Sequence, residues 1–99
     1  MISSLLFTGP NCNACGTMKK NVGEAGLTYF EVNISTPEGS KLAQEYHVMT
    51  IPTLLLCDLI SDSTMGNMKV TPLKSLVGSY PVLSIKQAMN EVGFKEGQA

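Results

Sequence analysis

Cys12 and Cys15 stand with two residues between them in TGPNCNACGTM, where the apolar run SSLLF gives way to a polar segment. Thiols at that spacing can ligate a metal, form a structural bridge, or act as a redox couple. A zinc or iron–sulfur site normally takes four ligands, and the remaining soft donors, His47 and Cys57, share no ligand spacing with the pair. No metal is therefore expected. A redox couple needs two unlike thiols. At a helix start, unpaired N–H groups and the positive dipole end stabilise an anion, so Cys12 is expected to be the reactive thiolate. Cys15 falls on the same helical face one turn deeper, within disulfide reach, and is the expected resolving cysteine.

The hydrophobic pattern supplies the elements that must hold this pair. Residues 2–8 read as a short apolar strand and Gly9-Pro10-Asn11 as a turn. From Cys12, the residues Cys15, Met18, Val22 and Ala25 recur at spacings of three and four, which predicts a helix ending at Gly26. Residues 28–34, TYFEVNI, alternate with Phe30, Val32 and Ile34 on one face and predict a second strand parallel to the first. Thr36 as N-cap and Pro37 at the first helical position open a second helix that ends near His47, whose side chain is expected to cap carbonyls or favour the negative dipole end. Residues 52–57, PTLLLC, form a fully apolar strand in which Cys57 is expected to be a buried, inert thiol. Residues 58–72 read as a long polar loop, 73–77 as a short strand, and Val82, Ile85, Ala88, Met89 and Val92 stripe a final helix. The order is βαβαββα: an α/β fold with a four-stranded mixed sheet between three helices, its closing strands an antiparallel hairpin.

Composition narrows the function classes. With 99 residues, residues 1–99 are expected to form one domain with a single core. A net charge of -1 and no cationic patch give nucleic acid nothing to bind. MISSLLF has no cationic leader before its apolar residues, and three cysteines fit a reducing compartment, so a cytoplasmic, monomeric protein without membrane association is expected.

CNAC at a strand-to-helix turn, YHVMTIPTLLLC, and SLVGSYPVLSIKQAMNEV together resemble the thioredoxin-fold superfamily in its short form, over nearly the whole chain. The pairing of C-x-x-C with Thr50-Ile51-Pro52-Thr53 is the most specific part. The Val77-Gly78 element resembles thioredoxin more than glutaredoxin, whereas the length is that of a glutaredoxin. Asn11 stands where thioredoxins carry a tryptophan, no proline lies between the cysteines, and Leu6 replaces the usual buried aspartate.

The resemblance implies a thiol–disulfide oxidoreductase with no bound cofactor. It further implies a cis Ile51-Pro52 bond facing the cysteines, main-chain docking of substrate at Ile51, and a third wall at Gly78, Ser79 and Tyr80. Disulfide-containing proteins, ribonucleotide reductase among them, are the implied substrates, and a thioredoxin reductase or glutathione the reductant. With Leu6 unable to transfer protons, either water deprotonates Cys15 and Glu31 on the neighbouring strand is a solvated strand-end residue, or Glu31 lies beneath the cysteines and supplies the base as a desolvated acid titrating above the ordinary carboxylate range. Lys19 and Lys20 are the cations nearest the pair that could attract glutathione. The rival classes are a glutathione-dependent glutaredoxin, a non-catalytic module that docks a partner on the same face, and a metal-cluster carrier joining two chains through Cys12.

Overall fold

The computed structural model describes residues 2–62 and 67–93. Its elements are β1 (Ile2–Thr8), α1 (Asn13–Glu24), β2 (Phe30–Asn33), α2 (Pro37–Glu45), β3 (Thr53–Asp62), β4 (Asn67–Val77) and α3 (Val82–Glu91). The sheet runs β2-β1-β3-β4. β1 lies parallel to β2 and antiparallel to β3, which pairs antiparallel with β4. This is the expected mixed sheet in the expected order.

Period-two alternation along β1 and β3 sorts the core onto two faces. Leu6, Leu54, Leu56 and Leu76 pack with Met18, Val22, Ile85, Ala88 and Met89, so α1 and α3 share one face. Phe7, Val32 and Leu55 pack with Ala43 of α2 on the other. β3 is apolar on both faces because both are covered, as buried central strands require. β2 is an edge strand: Val32 is buried, whereas Phe30, one pleat back on the same face, stays 60% exposed.

The long loop expected over residues 58–72 is replaced by paired strand. Register continues from Asp58↔Thr71 to Asp62↔Asn67, with residues 63–66 outside the described part. β1 pairs with β3 only as far as Ile2↔Asp58, so beyond it the hairpin is a two-stranded ribbon. A ribbon of that kind is held by backbone pairing and needs no apolar face, which is why polarity misled the sequence reading. Pro72 sits at a register shift between Leu56 and Cys57 on edge strand β4, where its missing N–H costs least.

Local chemistry fixes the helix ends. Thr36 caps α2 by accepting the Gly39 N–H at 3.0 Å, with Pro37 at the first turn. A Cβ on Gly39 would overlap the Asn33 carbonyl, so glycine lets α2 start hard against the end of β2. The backbone of His47 helps close the end of α2, just past its C-cap Tyr46. At φ +57° its N–H donates to Gln44 O at 3.3 Å, while Val48 N–H donates to Ala43 O at 2.7 Å.

Candidate redox site

Register places the site. Phe7↔Thr53 and Thr53↔Val77 put the end of β1, the start of β3 and the end of β4 at one margin of the sheet. The segments leaving there carry Cys12, Ile51-Pro52 and Gly78-Ser79-Tyr80. Residues far apart in the chain, Met18 and Tyr80 among them at 62 positions, thus come into contact because three neighbouring strands begin or end at the same margin.

Cys12 is the N-cap of α1, and its Sγ accepts the Cys15 N–H at 3.1 Å. Asn11 precedes it in the left-handed region at φ +56°, a conformation asparagine tolerates better than most side chains. Cys12 and Cys15 are disulfide-bonded, with Cα atoms 5.3 Å apart. Cys12 is half-buried and Cys15 only 3% exposed. The two sulfurs therefore differ in access, and the more accessible one faces a helix N-terminus.

The Ile51-Pro52 peptide bond is cis. Pro52 is buried, and the Thr53 hydroxyl donates to Thr50 O at 2.6 Å, clasping the loop across the proline. The Ile51 side chain packs toward the α2 face and against Gly9, where a Cβ would come within 2.7 Å of its Cδ1. Gly78, at φ +96°, donates its N–H to Pro52 O at 2.8 Å, which ties the β4–α3 turn to the proline loop. Ser79 is exposed and Tyr80 half-buried against the α1–α3 core.

Glu31 corrects one expectation. It lies on the α1 side of β2 in register with Leu6, yet it is exposed enough that desolvation does not govern its titration. Lys19 Nζ sits 2.8 Å from its Oε2, and the buried Thr8 hydroxyl donates to the same oxygen at 2.8 Å. These two hydrogen bonds, Lys19 first, hold the carboxyl below its ordinary range, opposite to the expected direction. Lys19 is raised by the same contact. The signal available in the sequence was Lys19 itself, four residues beyond Cys15 on α1.

Cys57 is fully buried on β3, its thiol directed at Ser3 O across 3.7 Å. Burial, and secondarily Asp58, push that thiol up. Among the described residues no three His, Cys, Asp or Glu side chains come together as a metal site would need. No helix among them is long and apolar enough to cross a membrane.

Comparison with solved structures bears on the architecture. A thioredoxin-like protein from Clostridium perfringens superposes with a TM-score of 0.75 at 16% identity, over 99% of this chain and 75% of that one. The chain has the thioredoxin fold. A thioredoxin from Thermus thermophilus matches at TM-score 0.66 and 24% identity over 97% of this chain and 76% of its own. Thioredoxin O2 from Arabidopsis thaliana in the oxidised state matches at 0.69 and 21%, over 93% and 75%. No family profile and no curated protein matches the sequence. In this chain the cysteine pair sits at the start of α1 and the cis proline immediately precedes β3.

Proposed function

We propose that the protein is a dithiol–disulfide oxidoreductase that reduces protein disulfides through Cys12 and Cys15. The observation that carries the reading is the placement of Cys12 Sγ at the N-cap of α1, receiving the Cys15 N–H, in a disulfide with the buried Cys15. Reduced Cys12 attacks one sulfur of a substrate disulfide. The substrate S–S bond breaks, its departing thiolate takes a proton from water, and a mixed disulfide joins Cys12 to substrate. Cys15 then loses its proton and attacks Cys12 Sγ, which releases the second substrate thiolate and closes Cys12–Cys15. Two electrons pass to the substrate, and a thiol reductant, one dithiol or two monothiols, must return them.

Ile51, Pro52, Gly78, Ser79 and Tyr80 form the docking face in this reading. Ile51 offers main-chain groups to an extended segment, and Gly78 lets that segment approach. Substrates are disulfide-containing proteins, ribonucleotide reductase being one class, met in the cytoplasm by a monomer. A thioredoxin reductase is the favoured electron donor over glutathione. Lys19, a cation that could have drawn the tripeptide's carboxylates, is engaged by Glu31 at 2.8 Å.

An insulin-reduction assay tests the activity. Turnover that disappears with Cys12→Ser supports it, and an unmodified chain that docks partners without turnover would replace it with a binding module. Reduction of the oxidised protein by NADPH and thioredoxin reductase should outpace reduction by glutathione. Rapid glutathionylation of Cys12 with efficient glutathione turnover, and none from any thioredoxin reductase, would reverse the choice of donor.

A further inference from the structure

The turn between β4 and α3 satisfies its backbone through side chains of another element. Tyr80 N–H donates to Met18 Sδ at 3.4 Å, and Tyr80 O accepts from Asn21 Nδ2 at 2.9 Å. Both partners belong to α1 and stand three residues apart, so they share a face, and Cys15 precedes Met18 by the same interval. On its other side the turn is tied to the proline loop by Gly78 N–H on Pro52 O. The Gly78–Tyr80 wall is therefore strung between the cysteine helix and the proline segment.

Of the two α1 contacts, the thioether is a weak acceptor and the carboxamide a full donor, so Asn21 carries the tie. Asparagine is a poor helix former and sits half-buried beside the apolar stripe of Met18 and Val22, adding nothing to the core that alanine would not. Its contribution is the bond to a residue 59 positions away.

Resting on the oxidoreductase reading above, we propose that Asn21 is a positioning residue for protein substrates. Its carboxamide holds the Tyr80 turn in register with the Cys12–Cys15 helix and so sets how well an extended segment docks. It does not act on the sulfurs. Without the bond, the turn keeps its tie at Gly78, the weak Met18 thioether contact and the packing of Tyr80, but loses its full-strength link to α1, and a protein disulfide that must use the whole face binds less well. A small aromatic disulfide, which reaches Cys12 alone, loses nothing.

The test compares the unmodified chain with Asn21→Ala, Asn21→Asp and Asn21→Gln. Aspartate keeps the size but, ionised, cannot donate to the Tyr80 carbonyl, and it remains informative if the alanine variant folds poorly. Ala and Asp should raise KM for insulin about three- to tenfold, the equivalent of one lost hydrogen bond. They should leave kcat and the second-order rate with the aromatic disulfide within about twofold of the parent, since neither step uses the turn. Gln, which keeps a donor, should recover part of the KM. An unchanged KM in both Ala and Asp, or a parallel loss on both disulfides, overturns the assignment and leaves Asn21 as ordinary packing. A parent chain inactive on both disulfides overturns the oxidoreductase reading itself, and this assignment with it.

Discussion

The main-chain N–H of Cys15 points at the sulfur of Cys12 from 3.1 Å, so the second cysteine of the pair helps hold the first at the helix N-terminus. The relationship is asymmetric: Cys12 is reachable from solvent, whereas Cys15 is 3% exposed. In the reduced protein the same N–H and the helix dipole favour the Cys12 thiolate.

Division of labour between the sulfurs follows. Cys12→Ser should abolish disulfide exchange, while Cys15→Ser should still attack and accumulate a mixed disulfide on Cys12, visible by intact mass. At neutral pH reduced Cys12 should alkylate at least about tenfold faster than Cys15, because it is the more accessible of the two and sits at the helix N-terminus. Equal rates would sink the assignment of nucleophile and resolver.

Cys57 should resist alkylation in the native state and react only at the rate of unfolding. Its thiol is raised by burial, so the folded state retains a proton that the unfolded chain releases first. The stability this contributes is complete below the unfolded thiol's pKa and lost as pH rises through the folded one. Cys57→Ala should flatten that alkaline decline in denaturant titrations, at a cost of about 1–2 kcal/mol for the vacated space. An alkaline limb unchanged in the variant would refute it.

The Glu31 carboxylate is depressed by Lys19 and Thr8. The sign is opposite to that of Cys57: stability is present above the unfolded carboxyl's pKa and is lost as pH falls through the folded value. Lys19→Met should move the Glu31 titration upward in NMR-monitored pH series. Because an ionised carboxylate of low basicity is a poor proton acceptor, Glu31→Gln should leave both single-turnover steps within about twofold of the parent. A selective slowing of the resolving step above neutral pH would restore Glu31 to proton transfer.

Both glycines, Gly39 and Gly78, should lose stability as alanine, but for different physical reasons. At Gly39 alanine is the better helix former, yet its Cβ would run into the Asn33 carbonyl, so Gly39→Ala should destabilise by about 2–4 kcal/mol. At Gly78 a Cβ meets nothing within 4 Å, and the penalty is the backbone strain of φ +96°, about 1–2 kcal/mol. Thermal unfolding ranks the two, and a neutral Gly39→Ala would show that α2 can shift off β2.

The cysteine pair, its strand-turn-helix setting, the Thr36 cap and the end of α1 just before Gly26 were legible in the residues alone, because each depends on chemistry within a few positions. The apolar stripes of Met18, Val22, Ile85 and Met89 likewise announced which helix faces would be buried. Residues 58–72 were misread because a ribbon extending past its neighbours is stabilised by backbone pairing, which leaves no imprint on hydropathy. Glu31 was misjudged because its titration depends on Lys19 and Thr8, one from a helix and one from a strand that only folding brings to the same oxygen. Asn21 went unnoticed for the same reason: its partner lies 59 residues away, on a turn whose position is set by where β4 ends beside β3. Local propensity and periodicity thus determined the elements and the reactive pair, while long-range register decided which polar groups meet, since hydrogen bonds act over about 3 Å and sequence spacing does not encode that distance between separate elements.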